Sequence, residues 1–223
     1  MKSGGFSLVE LAIVIIIIGI LMGAAMSGNN LIKNASNYSQ MQQLNSLKMT
    51  YGLFDEAYRA VPGDFAEAHV YWSNSENTIC GTEAECNGDG DRMIEINEKK
   101  DSEQYRAWQH LYLSGLFMQE HSGVWGTSDS VPRGKIKDTN ISIVYDNKID
   151  RVNVLKVGKY VNYKGQDSDG AVFFPETLKK IDRKLDDGHA SKGLFQAMNG
   201  FKGGDKKDVN NWETSCMKDG NYN

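Results

Sequence analysis

The chain has 223 residues and a formal net charge of −4, with 25 basic side chains against 29 acidic ones. That length holds one membrane segment and one soluble domain of about 190 residues, and the charge leaves no basic footprint for nucleic acid, so no nucleic-acid partner is expected. Three cysteines, Cys80, Cys86 and Cys216, are an odd number for an exported domain, and spacing alone does not fix their pairing.

The first element is read from "GFSLVELAIVIIIIGILMGAA", residues 5–25, which is uncharged up to Lys33 except for Glu10. With its flanks it supplies about 20 apolar positions, enough to span a hydrocarbon core, and predicts one hydrophobic helix over 6–28. An ionised acid inside such a span costs roughly 2.5–3.5 kcal/mol even on mild insertion scales. A cleaved secretory signal is a poor match, because the apolar run exceeds a signal's core and Gly4-Gly5 precedes it rather than follows it. A plain anchor leaves Glu10 without a purpose.

Gly5-Phe6-Ser7-Leu8-Val9-Glu10-Leu11, followed by Gly19 in an Ile-rich helix, resembles the N-terminus of type IV prepilins and of type II secretion pseudopilins. The resemblance implies a leader at 1–5, cut by a prepilin peptidase between Gly5 and Phe6, and methylation of the new amine on Phe6. It also implies an assembly role for Glu10: the amine of one subunit pairs with Glu10 of its neighbour in an apolar filament core. Losing one member of such a buried pair costs about 3–5 kcal/mol. The implied fold is α+β and pilin-like, a long membrane-spanning helix packed on a small antiparallel sheet with additional short helices. The implied partners are the prepilin peptidase, other pilin or pseudopilin subunits and an inner-membrane assembly platform. The implied location is the bacterial inner membrane, single-pass with the C-terminal domain outside the cytoplasm, and then an extracellular or periplasmic filament. The proline that many pilins carry lower in this helix is absent. Gly23 and Gly28 could soften the helix at about 1 kcal/mol each, or serve close helix packing.

Beyond the span, Tyr38, Met41, Leu44, Leu47, Tyr51, Phe54 and Tyr58 recur every three or four residues and predict an amphipathic continuation over 29–61, stopped at Val61-Pro62-Gly63. The extracytoplasmic domain is then 62–223. Asp64 and Glu67 form a capping-box pattern ahead of a short helix. Asp101 and Gln104 open another, with Tyr105, Trp108, Leu111, Tyr112 and Leu116 on one face. Ile141, Ile143 and Tyr145, then Val152 and Val154, then Tyr160 and Val161 read as strands of a small antiparallel sheet. A last helix spans Pro175 to Asp187 over Leu178, Ile181 and Leu185, with Gly188 as its left-handed stop. The segments "YRAVPGDFAEA" (58–68), "AWQHLYLSGL" (107–116) and "IDRKLDDG" (181–188) are similar to parts of bacterial pilin-like proteins with enlarged C-terminal domains.

The strongest local chemistry lies in "CNGDGDRMIEINE", 86–98. With Asn87 at position 1, Asp89 falls at 3, Asp91 at 5, the Met93 carbonyl at 7 and Glu98 at 12, the oxygen ligands of a calcium loop. Arg92 stands at position 6, where such loops carry glycine for the turn. Calcium and an ion-free acidic turn are both open readings. Asp167, Asp169, Asp186 and Asp187 form a second acidic group, read first as solvated turn and helix-end acids. Cys80 with Cys86, bracketing a short loop with Gly81, is the first choice of disulfide; Cys216 with one of them, a pattern of C-terminal pilin loops, is the other. No histidine lies at finger spacing from a cysteine, so zinc is not expected. His69, His110, His121 and His189 sit in no catalytic motif and read as half-buried or surface residues. The four tryptophans, Trp72, Trp108, Trp125 and Trp212, read as core rather than as a sugar groove. Two functions remain: a structural pilin or pseudopilin subunit that does no catalysis, or a membrane-tethered, calcium-dependent binding module or adhesin that never polymerises.

Overall fold

The computed structural model describes residues 7–73, 78–96, 102–125, 130–147, 151–159, 168, 170, 172–173, 175–189 and 192–197, with the strand pairs at 217–218 and 221–222. Helix α1, Leu8–Tyr58, runs unbroken for 51 residues, about 75 Å. Its N-terminal half is exposed throughout, from Leu8 to Met26, and it is the one helix among the described residues long and apolar enough to cross a membrane. Its C-terminal half is the spine of the domain. Met41, Leu47 and Phe54 are buried, Leu44, Tyr51 and Tyr58 are half-buried, and Tyr38 at the start of the expected stripe stays exposed.

The helix ends three residues before the expected stop at Val61. Arg59 takes a left-handed φ of 55° and donates its N–H to Asp55 O at 2.9 Å. Turning there lets Val61, held extended by the proline after it, enter the core at 3 % exposure. Short helices α2 (Ala68–Trp72) and α3 (Glu83–Cys86) follow, then α4 (Glu103–Leu113). The capping box expected at Asp64 and Glu67 does not form: Glu67 itself precedes α2 and makes no side-chain cap, while Asp64 is bonded elsewhere. Ser102 precedes α4; Asp101 lies outside the described residues.

Strands β1 (Asn140–Asp146) and β2 (Val152–Gly158) pair antiparallel, with Ile141 opposite Val157 and Ile143 opposite Leu155. Four consecutive β1 residues, Ile141 to Val144, are buried, so this strand is covered on both faces. The expected third strand at Tyr160-Val161 lies outside the described residues. Helix α5 (Pro175–Leu185) packs against α1, and Gly188 beyond it has the expected positive φ, 79°. A last pair, β3 (Met217–Lys218) and β4 (Asn221–Tyr222), is also antiparallel. The arrangement is α+β and pilin-like: a long N-terminal helix, a small antiparallel sheet and several short helices.

The core gathers around Phe54. Its ring lies 4.6 Å from that of Tyr58, 6.3 Å from Trp72 and 6.4 Å from Phe65. Leu47, Val61, Tyr105, Trp108, Leu111, Ile141 and Ile143 complete it. Trp72 and Trp108 are core residues as expected, Trp125 packs half-buried against them, and Trp212 lies outside the described residues. His110 and His121 depart from the reading as half-buried or surface residues, being fully buried.

One contact in this core tolerates no side chain. The chain at Gly88 passes so close to Asp64 that a Cβ would sit 2.2 Å from the Asp64 Cα. Gly88→Ala is expected to cost about 1–3 kcal/mol, a fall of roughly 3–10 °C in Tm. Gly52→Ala, in α1 with open space around it, is expected to leave Tm unchanged or to raise it by a few degrees, since Ala gains up to about 1 kcal/mol in a helix. Thermal melts of the purified chain in detergent check both.

Candidate functional site

The N-terminal site begins at Ser7. Its Oγ accepts the Val9 N–H at 3.2 Å, and its own N–H donates to Glu10 Oε2 at 2.8 Å. This is a capping box, and the signal for it in the sequence is the Ser-x-x-Glu spacing of Ser7 and Glu10. Glu10 is thus exposed on the helix surface, its carboxylate held by its own chain one turn from the helix start. Gly5 and Phe6, the expected cleavage and methylation positions, lie outside the described residues.

The acidic loop forms a cluster whose third member was not expected. Oxygens of Asp64, Asp89 and Asp91 lie within 4.8 Å of one another. Asp64, at 2 % exposure, arrives from the turn after α1. Its Oδ1 accepts the Gly90 N–H at 2.6 Å and its Oδ2 accepts the Arg92 N–H. No local pattern marks Asp64 for this role, because its partners lie more than 25 residues away. Arg92 adopts φ 68°, supplying the left-handed turn that calcium loops usually assign to glycine. Such a conformation costs a non-glycine residue roughly 1–2 kcal/mol; the Asp64 bond to its N–H and its ion pair with Asp55, at 2.7 Å, hold it. Within the loop, Asp89 Oδ1 accepts the Asp91 N–H and Asp91 Oδ1 accepts the Met93 N–H. Asn87 faces away: its Oδ1 accepts the His69 N–H at 2.7 Å. Glu98 lies outside the described residues.

Glu103, at the start of α4, closes the inner side. Its Oε1 accepts the Asp89 N–H at 3.3 Å and its Oε2 the Glu95 N–H at 3.0 Å. Burial, with Asp64 and Asp89 close by, pushes its carboxyl up to about 7. Burial likewise raises Asp64, and Asp89 beside it adds to the shift. The Cys80–Cys86 disulfide stands at the loop's entrance, with Cα atoms 5.0 Å apart. The second acidic group is composed differently from the expectation. Asp182 joins Asp186 and Asp187, while Asp167 and Asp169 lie outside the described residues. Its carboxylates accept backbone N–H groups of Gly188, His189, Leu194 and Phe195, which is the bonding of helix-end turns.

His110 joins these loops. Its Nδ1 accepts the Gly63 N–H at 2.9 Å, so the proton sits on Nε2, which donates to the Cys86 carbonyl at 2.7 Å. Complete burial lowers its pKa to about 4, and Arg106 nearby adds to the shift.

Residues 1–26 match the family model described as the prokaryotic N-terminal methylation motif. Neither a curated protein nor a solved structure matches the chain. The motif covers the capped start of α1 and most of its exposed apolar half, and it supports a type IV pilin-like or pseudopilin-like protein anchored by this helix. It also favours a structural subunit over an enzyme.

The two buried titrations oppose each other. His110 has a folded pKa below its unfolded value of 6.5, so its contribution is complete above pH 6.5 and is lost as pH falls towards 4. Glu103 is raised above its unfolded 4.5, so its contribution is complete below pH 4.5 and is lost as pH rises through 7. With Asp64 raised in the same direction as Glu103, His110 offsets part of the fall in wild-type stability between pH 4.5 and 6.5. His110→Gln, though less stable throughout, is expected to gain stability as pH falls across that window. The two slopes should differ by close to one proton, about 1.4 kcal/mol per pH unit, in urea titrations with chelator present.

Proposed function

We propose that this chain is a structural subunit of a type IV pilus or a type II secretion pseudopilus. A prepilin peptidase cuts it between Gly5 and Phe6, the new amine is methylated, and the subunit polymerises through α1 from the inner membrane on an assembly platform. The observation that carries the reading is the methylation motif at 1–26 lying on a helix whose apolar half is exposed from end to end. Such a surface needs lipid in the stored subunit and other copies of itself in a filament. Glu10 has a role in each state. In the single subunit it caps its own helix through Ser7; in the assembly it takes the neighbour's Phe6 amine as counter-charge. Glu10→Val is expected to insert at least as well as wild type, since the acid's insertion penalty is gone. It should form no fibres, because the neighbour's amine is left unpaired in an apolar core. Electron microscopy of sheared fractions, with mass spectrometry of the mature N-terminus, checks this. Normal fibres from the Val variant, or an intact Met1 on abundant membrane-extracted wild type, refute the reading.

The acidic loop is proposed to hold calcium in the exported domain. Asp64, Asp89 and Asp91 are the oxygen donors that converge; they replace the ligand set centred on Asn87, with Met93 and Glu98 as further candidates. Calcium at about 100 times its dissociation constant is expected to add about 2.7 kcal/mol. An extracellular module binds at roughly 0.1–1 mM, so millimolar calcium should raise Tm and chelator should reverse it. Magnesium, which demands tighter octahedral geometry, should substitute poorly. Asp91→Asn keeps the size of the side chain and is expected to remove most of the shift. One Tm in calcium, magnesium and chelator alike would exclude the site.

A further inference from the structure

Among the described residues, the exposed charges of the domain are sorted along α1. Apolar exposure on that helix persists through Leu31 at 71 % and Ile32 at 66 %, and Lys33 is the next charge after Glu10. Residues 6–28 measure about 35 Å along the helix, enough to cross a hydrocarbon core of about 30 Å with a modest tilt. Lys33 then stands at the outer edge of the headgroups. Tyr38 and Gln40 lie about 15 and 18 Å beyond Gly28, of which the headgroup layer takes roughly 5–7 Å.

Two basic segments are fastened to α1 at that height. The turn carrying Arg133, Lys135 and Lys137 is held by buried Gln40, whose Oε1 accepts the Lys135 N–H at 2.7 Å and the Ile136 N–H at 3.3 Å. Gln43 Nε2 donates to the Arg133 carbonyl at 2.9 Å. Helix α5 brings Lys180, Arg183 and Lys184, and Lys184 Nζ lies 5.8 Å from the centre of the Tyr38 ring. All six of these side chains are exposed, as is Lys33. Asp138, Glu176 and Asp187 are the exposed carboxylates of the same segments, with Asp186 half-buried and Asp182 buried in the bonds of the helix end, so the exposed bases outnumber the exposed acids. The opposite pole has the other sign. At Asp55, about 22 Å beyond Gln40, the loop of Asp89 and Asp91 is fastened by Arg92, and Glu56, Glu67, Glu83 and Glu85 are exposed around it.

We propose that this basic rim is a docking surface for anionic phospholipid headgroups, engaged while the subunit is stored in the membrane. Anchoring by α1 leaves the points that hold the rim roughly 8–13 Å above the headgroups, a gap that the reach of Lys and Arg side chains narrows to about the Debye length of 8 Å, and the acidic pole faces away from the bilayer. A domain with net charge −4 would be repelled by an anionic surface if its charge were spread evenly; the sorting turns repulsion into attraction at one end. The rim therefore sets the tilt of α1 and its domain against the bilayer, and leaving the membrane requires releasing it.

The test uses the full chain in nanodiscs of phosphatidylcholine alone or with phosphatidylglycerol, one chain per disc. Trypsin cleavage at Lys135, Lys137, Lys180, Arg183 and Lys184 is measured relative to cleavage at Arg59, on the distal pole. Rim cleavage is expected to be roughly fivefold slower in the anionic discs, the scale of one basic residue at a charged surface, and to recover in high salt. With Lys180, Arg183 and Lys184 all changed to Gln, the protection read at Lys135 and Lys137 should be lost. Equal rim cleavage of wild type in both discs at low salt overturns the proposal, whatever the variant does. Protection that follows the number of chains per disc and ignores lipid charge also overturns it, and assigns the rim to the acidic pole of a second copy.

Discussion

The domain hangs on one imidazole held between two loops. His110 is fully buried, accepts from the Gly63 N–H and donates to the Cys86 carbonyl, and stacks on Phe54 at 6.2 Å with the planes 12° apart. Both bonding partners are backbone groups that regular structure leaves unsatisfied: the Gly63 N–H lies in the turn after α1, and the Cys86 carbonyl ends α3. Leaving either buried and unpaired would cost about 1–3 kcal/mol. The consequences run outward by one residue on each side. Beside Gly63 is Asp64, whose carboxylate organises Gly90 and Arg92; beside Cys86 is Asn87, which accepts the N–H of His69 at α2. The turn after α1, the short helices and the acidic loop are thereby held in one fixed relation to α4.

Helix α1 has to satisfy two solvents. Over its first half the side chains are apolar on every face, so nothing in the domain could cover them without abandoning the other faces; they remain exposed. Over its second half Gln40, Met41, Leu47 and Phe54 point one way into the domain while Met49 and Leu53 stay outside. Placing polar Gln40 at full burial makes sense only because its amide oxygen collects the N–H groups of Lys135 and Ile136. That junction is the lower boundary of the domain and fixes how far above the bilayer its charges stand.

What could be read in advance divides by the range of the interaction responsible. The anchor, the amphipathic continuation, the Cys80–Cys86 pair, β1, β2 and α5 rest on patterns spanning a few residues, and the structure contains them. Asp64 shows the limit. Its spacing to Glu67 is the same Ser/Asp-x-x-Glu pattern that Ser7 and Glu10 present, and only the latter pair caps a helix. The N–H groups that claim Asp64 come from a loop more than 25 residues later, which no local rule can see. His110 escaped for a related reason. In α4 the expected stripe of Tyr105, Trp108 and Leu111 is buried, but so are Gln104, Ala107, Gln109 and His110, because the helix is surrounded rather than laid on a surface. An amphipathic pattern reports one face and is silent about the polar residues enclosed on the others.

The disulfide clarifies what stability means here. Cys80 and Cys86 are six residues apart, so closing their loop removes only about 2–2.5 kcal/mol of chain entropy from the unfolded state, less than a long-range bridge would. Its position matters more than its entropy. The bridge holds Cys86 at 0 % exposure, and the carbonyl of Cys86 is the acceptor for His110. Reduction would therefore loosen the loop from inside the core, at the residue where the acidic cluster begins. A fold arranged this way belongs in an oxidising compartment, the side of the membrane on which the proposed function puts the domain. It also couples the loop's acids to the core: Glu103 touches Asp89 on one side and begins the helix that carries His110 on the other, so a change of charge in the loop reaches the aromatic cluster through about two turns of helix and a single imidazole.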